Sequence, residues 1–240
     1  PLAWGCDRRE CCYLSLASPR LALRRPDHTL FMDGQIVGEP LSTNGITTDG
    51  PVYLGMSGVD GATVDLQISE LRIWKIARST SDIQQHWNRT LLDVPAELVA
   101  RWSAADEPTQ SFVDRGDQAF VAQVEVSPEA SQDIPWPTAN PVPPTFERQS
   151  HGLRFGDITG VTPDFIDLPS YSIPAAGTLE FWIQFHETET GVLFDASTTS
   201  PEGTALPFVV AIQQGTIRFD VADRSGTVTS VQLSLTDSAG

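Results

Sequence analysis

Apolar residues recur at every second position over most of this chain. Leu98, Ala100 and Trp102 alternate with Val99 and Arg101, and Phe120, Ala122, Val124 and Val126 alternate with Val121, Gln123 and Glu125. The last ninety residues are the most regular. Leu153 and Phe155 form one short alternation, and Ile166 and Leu168 another. Leu179, Phe181, Ile183 and Phe185 then line one face of a longer run whose other face carries Glu180, Trp182, Gln184 and His186, and the tip at Glu187 to Gly191 returns as a hairpin into Val192 to Asp195. Phe208, Val210 and Ile212 pair by pattern with Ile217, Phe219 and Val221 across Gln214-Gly215, before Val231, Leu233 and Leu235. A period of two is that of a strand with one buried face, because successive side chains point to opposite sides of a sheet. Antiparallel hairpins with one buried face each predict a β-sandwich.

The segments between these runs read as turns. Asp33-Gly34 separates His28–Met32 from Gln35–Val37, and a D-G pair between two strands marks a tight hairpin whose central residues need positive φ. Residues 21–25, LALRR, read as a short strand and 1–20 stay unassigned. Residues 38–51 read as loop, Val52 to Leu54 as a short strand, and Gly55 to Gly61 as a second loop. The segment 127–150 holds Pro128, Pro135, Pro137, Pro141, Pro143 and Pro144, a density that no central strand tolerates. It is an extended loop or linker, with Trp136 and Phe146 as candidates to lay it against something.

One stretch breaks the all-β pattern. Over residues 68–88, Leu71 and Ile73 continue a strand, and Ser79 and Asp82 then stand at the spacing of a helix capping box. Ile83 and Trp87, four apart, give the short helix that follows one apolar side.

Composition narrows the function classes. The 240 residues carry a formal net charge of −16, with a pI near 4.4, which argues against binding nucleic acid or anionic membranes, since phosphate binding needs clustered cations. Cys6, Cys11 and Cys12 crowd one end, an odd number without the C-x2-C spacing of a zinc site. No apolar run approaches the roughly 20 residues that span a bilayer.

The order LALRR, LFMDGQIVG, VYLGMSG, ISELRIWKIARSTSDI and LVARWSAAD resembles the closing half of a laminin G-like jelly roll, of the concanavalin A-like lectin and glucanase superfamily. Its matching features are the D-G hairpin, the E-L-R-I-W strand of Glu70 to Trp74, and Ala77, Arg78, Ser79 and Ile83 of the helix that follows. LVARWSAAD, HGLRFGD, FIDLPS and GTLEFWIQF resemble the opening half of a second such module. The resemblance therefore implies the C-terminal half of one module over 21–95 and the N-terminal half of another over 98–240. Within them, residues 21–92 and 98–235 together make about 210 residues, the size of one all-β sandwich. They are expected to complete each other as one circularly permuted jelly roll; two half-folded fragments are the alternative.

The superfamily's glucanases use a carboxylate pair at E-x-D-x-x-E spacing, and no glutamate here has an aspartate two residues later. His28, His86, His151 and His186 show no metal or protease spacing. No enzyme is expected. The resemblance implies rim loops that hold calcium or glycans. Oxygen ligands suit calcium, and Asp60, Asp195 and Asp223, with Asp49 and Asp65 beside them, are loop carboxylates, although loop aspartates more often simply form turns. Trp182 and Trp136 are the candidates to stack on a sugar, Trp182 because it sits on the polar face of its strand. The expectation is a non-catalytic carbohydrate- or ligand-binding or adhesion module of an extracellular or cell-surface protein. Its partner would be a glycan or an extracellular protein, with no membrane insertion. The alternative is a structural repeat that makes only protein–protein contacts.

Overall fold

The structure, a computed structural model, describes residues 11–17, 27–32, 34–42, 51–58, 64, 66–87, 91, 94–103, 111–113, 121–125, 134–135, 151–155, 165–168, 177–185, 189–223 and 225–234. Eighteen strands and one helix are described. The first stretch holds β1 (Cys11–Ala17), β2 (Asp27–Met32), β3 (Gln35–Ser42), β4 (Val52–Leu54), β5 (Leu66–Trp74) and α1 (Thr80–His86). The second begins with β6 (Leu98–Ser103), β7 (Ser111–Val113), β8 (Val121–Glu125), β9 (Ile134–Pro135), β10 (His151–Phe155), β11 (Phe165–Leu168) and β12 (Gly177–Phe185). It ends with β13 (Thr190–Asp195), β14 (Thr198–Thr199), β15 (Ala205–Leu206), β16 (Phe208–Gln213), β17 (Thr216–Ala222) and β18 (Val228–Ser234).

Two eight-stranded sheets result, together with a β14–β15 ribbon. The first runs β3-β2-β1-β12-β5-β10-β9, with β6 also on β5; the second runs β18-β17-β16-β13-β4-β11-β8-β7. Every described pairing is antiparallel. Both sheets mix strands from the two stretches. β12 lies between β1 and β5, and β4 lies between β13 and β11.

The two sheets share one apolar core. Leu71, Ile73, Leu179, Phe181 and Ile183 from the first meet Leu54, Phe194, Phe208, Val210, Phe219 and Val221 from the second. Phe181 and Phe194 join the sheets with ring centroids 5.9 Å apart, and the series continues through Phe208 (6.0 Å) to Phe219 (5.4 Å) in tilted and edge-on contacts. Such aromatic pairs add about 0.5–1.5 kcal/mol each beyond the area they bury. A bulge at Ser69 explains an irregular spacing in β5. Trp182 pairs with Glu70 and Ile183 with Ile68, so Ile68 and Leu71 both reach the core although three residues apart.

Most of the pattern-derived strands are present, including the Asp33-Gly34 hairpin, where Met32 pairs with Gln35 and Gly34 has φ +75°. Three readings change. Residues 11–17, left unassigned, form β1, which bridges β2 and β12. The loop expected from residue 38 begins later, because β3 runs through Gly38, Glu39 and Pro40 to Ser42; it is an edge strand, where proline is tolerated. The turn after β12 makes no hairpin, since β12 and β13 lie in different sheets. Residues 21–25 lie outside the described residues.

Candidate functional site

The outer face of the first sheet, beneath α1, carries the chemistry-bearing cluster of the described residues. Glu70, Arg72 and Trp74 alternate with core residues along β5, and Thr178, Glu180 and Trp182 do the same along β12. Antiparallel register sets Arg72 opposite Glu180, Glu70 opposite Trp182 and Trp74 opposite Thr178. On the other flank of β5, Arg101 of β6 lies opposite Arg72. Alternation in a half-buried strand ordinarily sends such polar side chains to water. Here Glu70, Arg72 and Glu180 are wholly buried.

Burial of that kind is tolerable only with counter-charges in place. Arg72 Nε donates to Glu70 Oε1 at 2.5 Å and its Nη1 lies 3.5 Å from Glu180 Oε2. Arg101 holds both oxygens of Glu70, Nε to Oε1 at 3.0 Å and Nη2 to Oε2 at 3.3 Å. Arg78 Nη1 donates to Glu180 Oε1. Burial pushes the Glu70 carboxyl up, but the guanidiniums of Arg72 and Arg101 outweigh it and hold the group below its ordinary range. A carboxylate held ionised has no proton to give as a general acid at neutral pH.

The same groups fix the helix. Thr178 Oγ1 accepts the Arg78 backbone N–H at 2.8 Å and donates to the Ile76 carbonyl at 3.1 Å, clamping the chain as it leaves β5. The Arg78 guanidinium lies 4.6 Å from the Trp74 ring centroid, and that of Arg72 lies 4.1 Å from the Trp182 ring centroid. Ser79 then caps α1: its Oγ accepts the Asp82 N–H at 3.1 Å and donates to Asp82 Oδ2 at 2.6 Å. That hydroxyl is the first cause of the Asp82 carboxyl lying below its usual range. Ile83 points down into a small second core with Phe31, Trp182 and Trp87.

The residues singled out from sequence fall elsewhere or play other parts. Trp182 is 3% exposed, beneath α1 and against Arg72, so it offers no open ring face to a sugar; the sugar-stacking reading of this residue is corrected by its burial. Asp195 is buried, and its two oxygens accept the N–H groups of Gly58 and Ser197, each at 2.8 Å. Asp223 Oδ1 accepts the N–H groups of Ser225 (2.8 Å) and Thr227 (3.1 Å), organising the turn before β18. Both aspartates are turn-builders here. Among the described residues, no three His, Cys, Asp or Glu side chains converge as metal ligands. Asp49, Asp60, Asp65 and Trp136 lie outside the described residues. Glu70, Arg72, Arg78, Arg101 and Glu180 were not among the site candidates. The signal for Glu70, Arg72 and Glu180 was present in E-L-R-I-W and T-L-E-F-W, where charged residues alternate with large apolar ones.

No helix among the described residues is long and apolar enough to cross a membrane. No family model matches the chain, no curated protein matches it, and no solved structure matches it.

Proposed function

We propose that this chain is a non-catalytic, laminin G-like jelly-roll module in permuted order, serving an extracellular or cell-surface protein through protein–protein contact. The reading is carried by the buried ionic layer. Five charged side chains, Glu70, Arg72, Arg78, Arg101 and Glu180, are turned inward to hold α1 on the first sheet. The resemblance motif falls on this layer, where E-L-R-I-W supplies the buried pair and the A-R-S turn supplies the ion pair to Glu180 and the helix cap. The motif thus has a structural explanation that needs no ligand. The burial of Trp182 and the turn-building roles of Asp195 and Asp223 lend support in the same direction.

The test is a glycan array probed with the folded chain, with and without added calcium. The expected result is flat in both conditions. Saturable binding to one glycan class would overturn the reading in favour of a carbohydrate-binding module, and binding only with calcium would in addition return the rim aspartates to consideration.

A further inference from the structure

The way the two sheets are assembled bears on what this chain binds. Without residues 98–234, the described strands of the first sheet reduce to β3-β2-β1 and a separate β5, and β4 stands alone. Without residues 11–87, β12 loses both neighbours, and the second sheet parts into β18-β17-β16-β13 and β11-β8-β7. The ionic layer divides along the same line. Arg72 and Arg78 belong to the first half and Glu180 to the second, and Glu70 is held across the divide by Arg101. Separating the halves opens sheet edges along β1, β5, β11 and β13 and parts these charges, both costly.

We infer that each half is a binding surface for the other, and that it accepts the matching half of a second copy of this chain. Recognition rests on two slots, one between β1 and β5 that takes β12, the other between β13 and β11 that takes β4. Arg72 opposite Glu180 serves as a register key, because a one-residue slip would bring core residues opposite the charges. Nothing in these contacts depends on which chain supplies the half. Reciprocal exchange of the halves, with the chain passing from one copy to the other between α1 and β6, gives a closed dimer with two complete sandwiches. This inference stands on strand order and charge alone, independently of whether the module binds glycan.

Two full-length variants test it. Arg72→Glu sets three carboxylates together, and Glu180→Arg sets three guanidiniums together. Each alone is expected to lose at least half of the wild-type urea midpoint. Refolded together from denaturant, they can exchange halves, and one of the two resulting sandwiches regains every wild-type charge. The expected product contains both chains at twice the 26.1 kDa chain mass, with a transition at the wild-type midpoint. A mixture no better folded than its components, or either variant alone folding as the wild type does, would overturn the inference. A second measurement needs no destabilised variant. A protease site placed at residues 91–94 of the otherwise wild-type chain is cut after folding. The halves should co-elute, and re-form after denaturation and dilution; their separation overturns the inference equally.

Discussion

Gly34 shows how much a single position can carry. Its φ of +75° suits a residue without Cβ, and a Cβ built there would come within 2.4 Å of Trp87 Cδ1. Gly34→Ala should therefore cost about 2 kcal/mol or more, since neither the turn nor the indole can give freely, and urea denaturation would measure it. Glu180 is the other sensitive residue. Glu180→Ala parts Arg72 and Arg78 from their shared carboxylate and should cost about 3–5 kcal/mol. Arg72→Met combined with Glu180→Met should cost less than Glu180→Ala alone, because a paired apolar replacement buries no unmatched charge. Glu70 sets the response to acid. Its folded carboxyl titrates below its unfolded value, so its contribution is complete above about pH 4.3 and is lost as pH falls through the folded value. Urea midpoints measured against pH should drop steeply below about pH 4, and less steeply in Glu70→Gln. Equal slopes in the two proteins would remove Glu70 from the explanation.

At the scale of elements, α1 is too short to hold itself and borrows its stability from its cap and its underside. Ser79→Ala should cost about 1 kcal/mol and raise amide exchange first over residues 80–86. Uniform loss of protection over the whole first sheet would contradict a local role. The helix was legible in the sequence because capping and i, i+4 spacing are local signals. So were the hairpins at Asp33-Gly34 and Gln214-Gly215, where turn chemistry is local too. β1 was missed although Cys12, Leu14 and Leu16 alternate with Tyr13 and Ser15, because the run is short and its place is fixed by β2 and β12, one of them far away in the chain. The ionic layer was hidden for a related reason. Glu180 alternating with Leu179 and Phe181 reads as a solvent-facing charge until Arg72 and Arg78, about a hundred residues away, are brought against it. Burial of charge depends on a long-range partner, which periodicity cannot report.

For the molecule as a whole, the core and the strand order make one unit out of two stretches of chain. Unfolding should accordingly follow a single transition. Tryptophan fluorescence, reporting partly on Trp87 at the end of α1 and on Trp182 beneath it, should coincide with far-UV circular dichroism across the urea range. An earlier fluorescence change would make the α1 region a separately melting part.

The slot between β1 and β5 also has a consequence in time. Arg72 is made 108 residues before Glu180, and at roughly 5–20 residues per second the gap lasts roughly 5–20 s. Throughout that wait β5 has emerged without β12 beside it, while hairpins such as β2–β3 can close within microseconds. Nascent chains on one messenger would then carry the same unfilled slot side by side. Slower translation between residues 98 and 185 should lengthen the exposure of that slot and lower the yield of folded protein, measured as the soluble fraction.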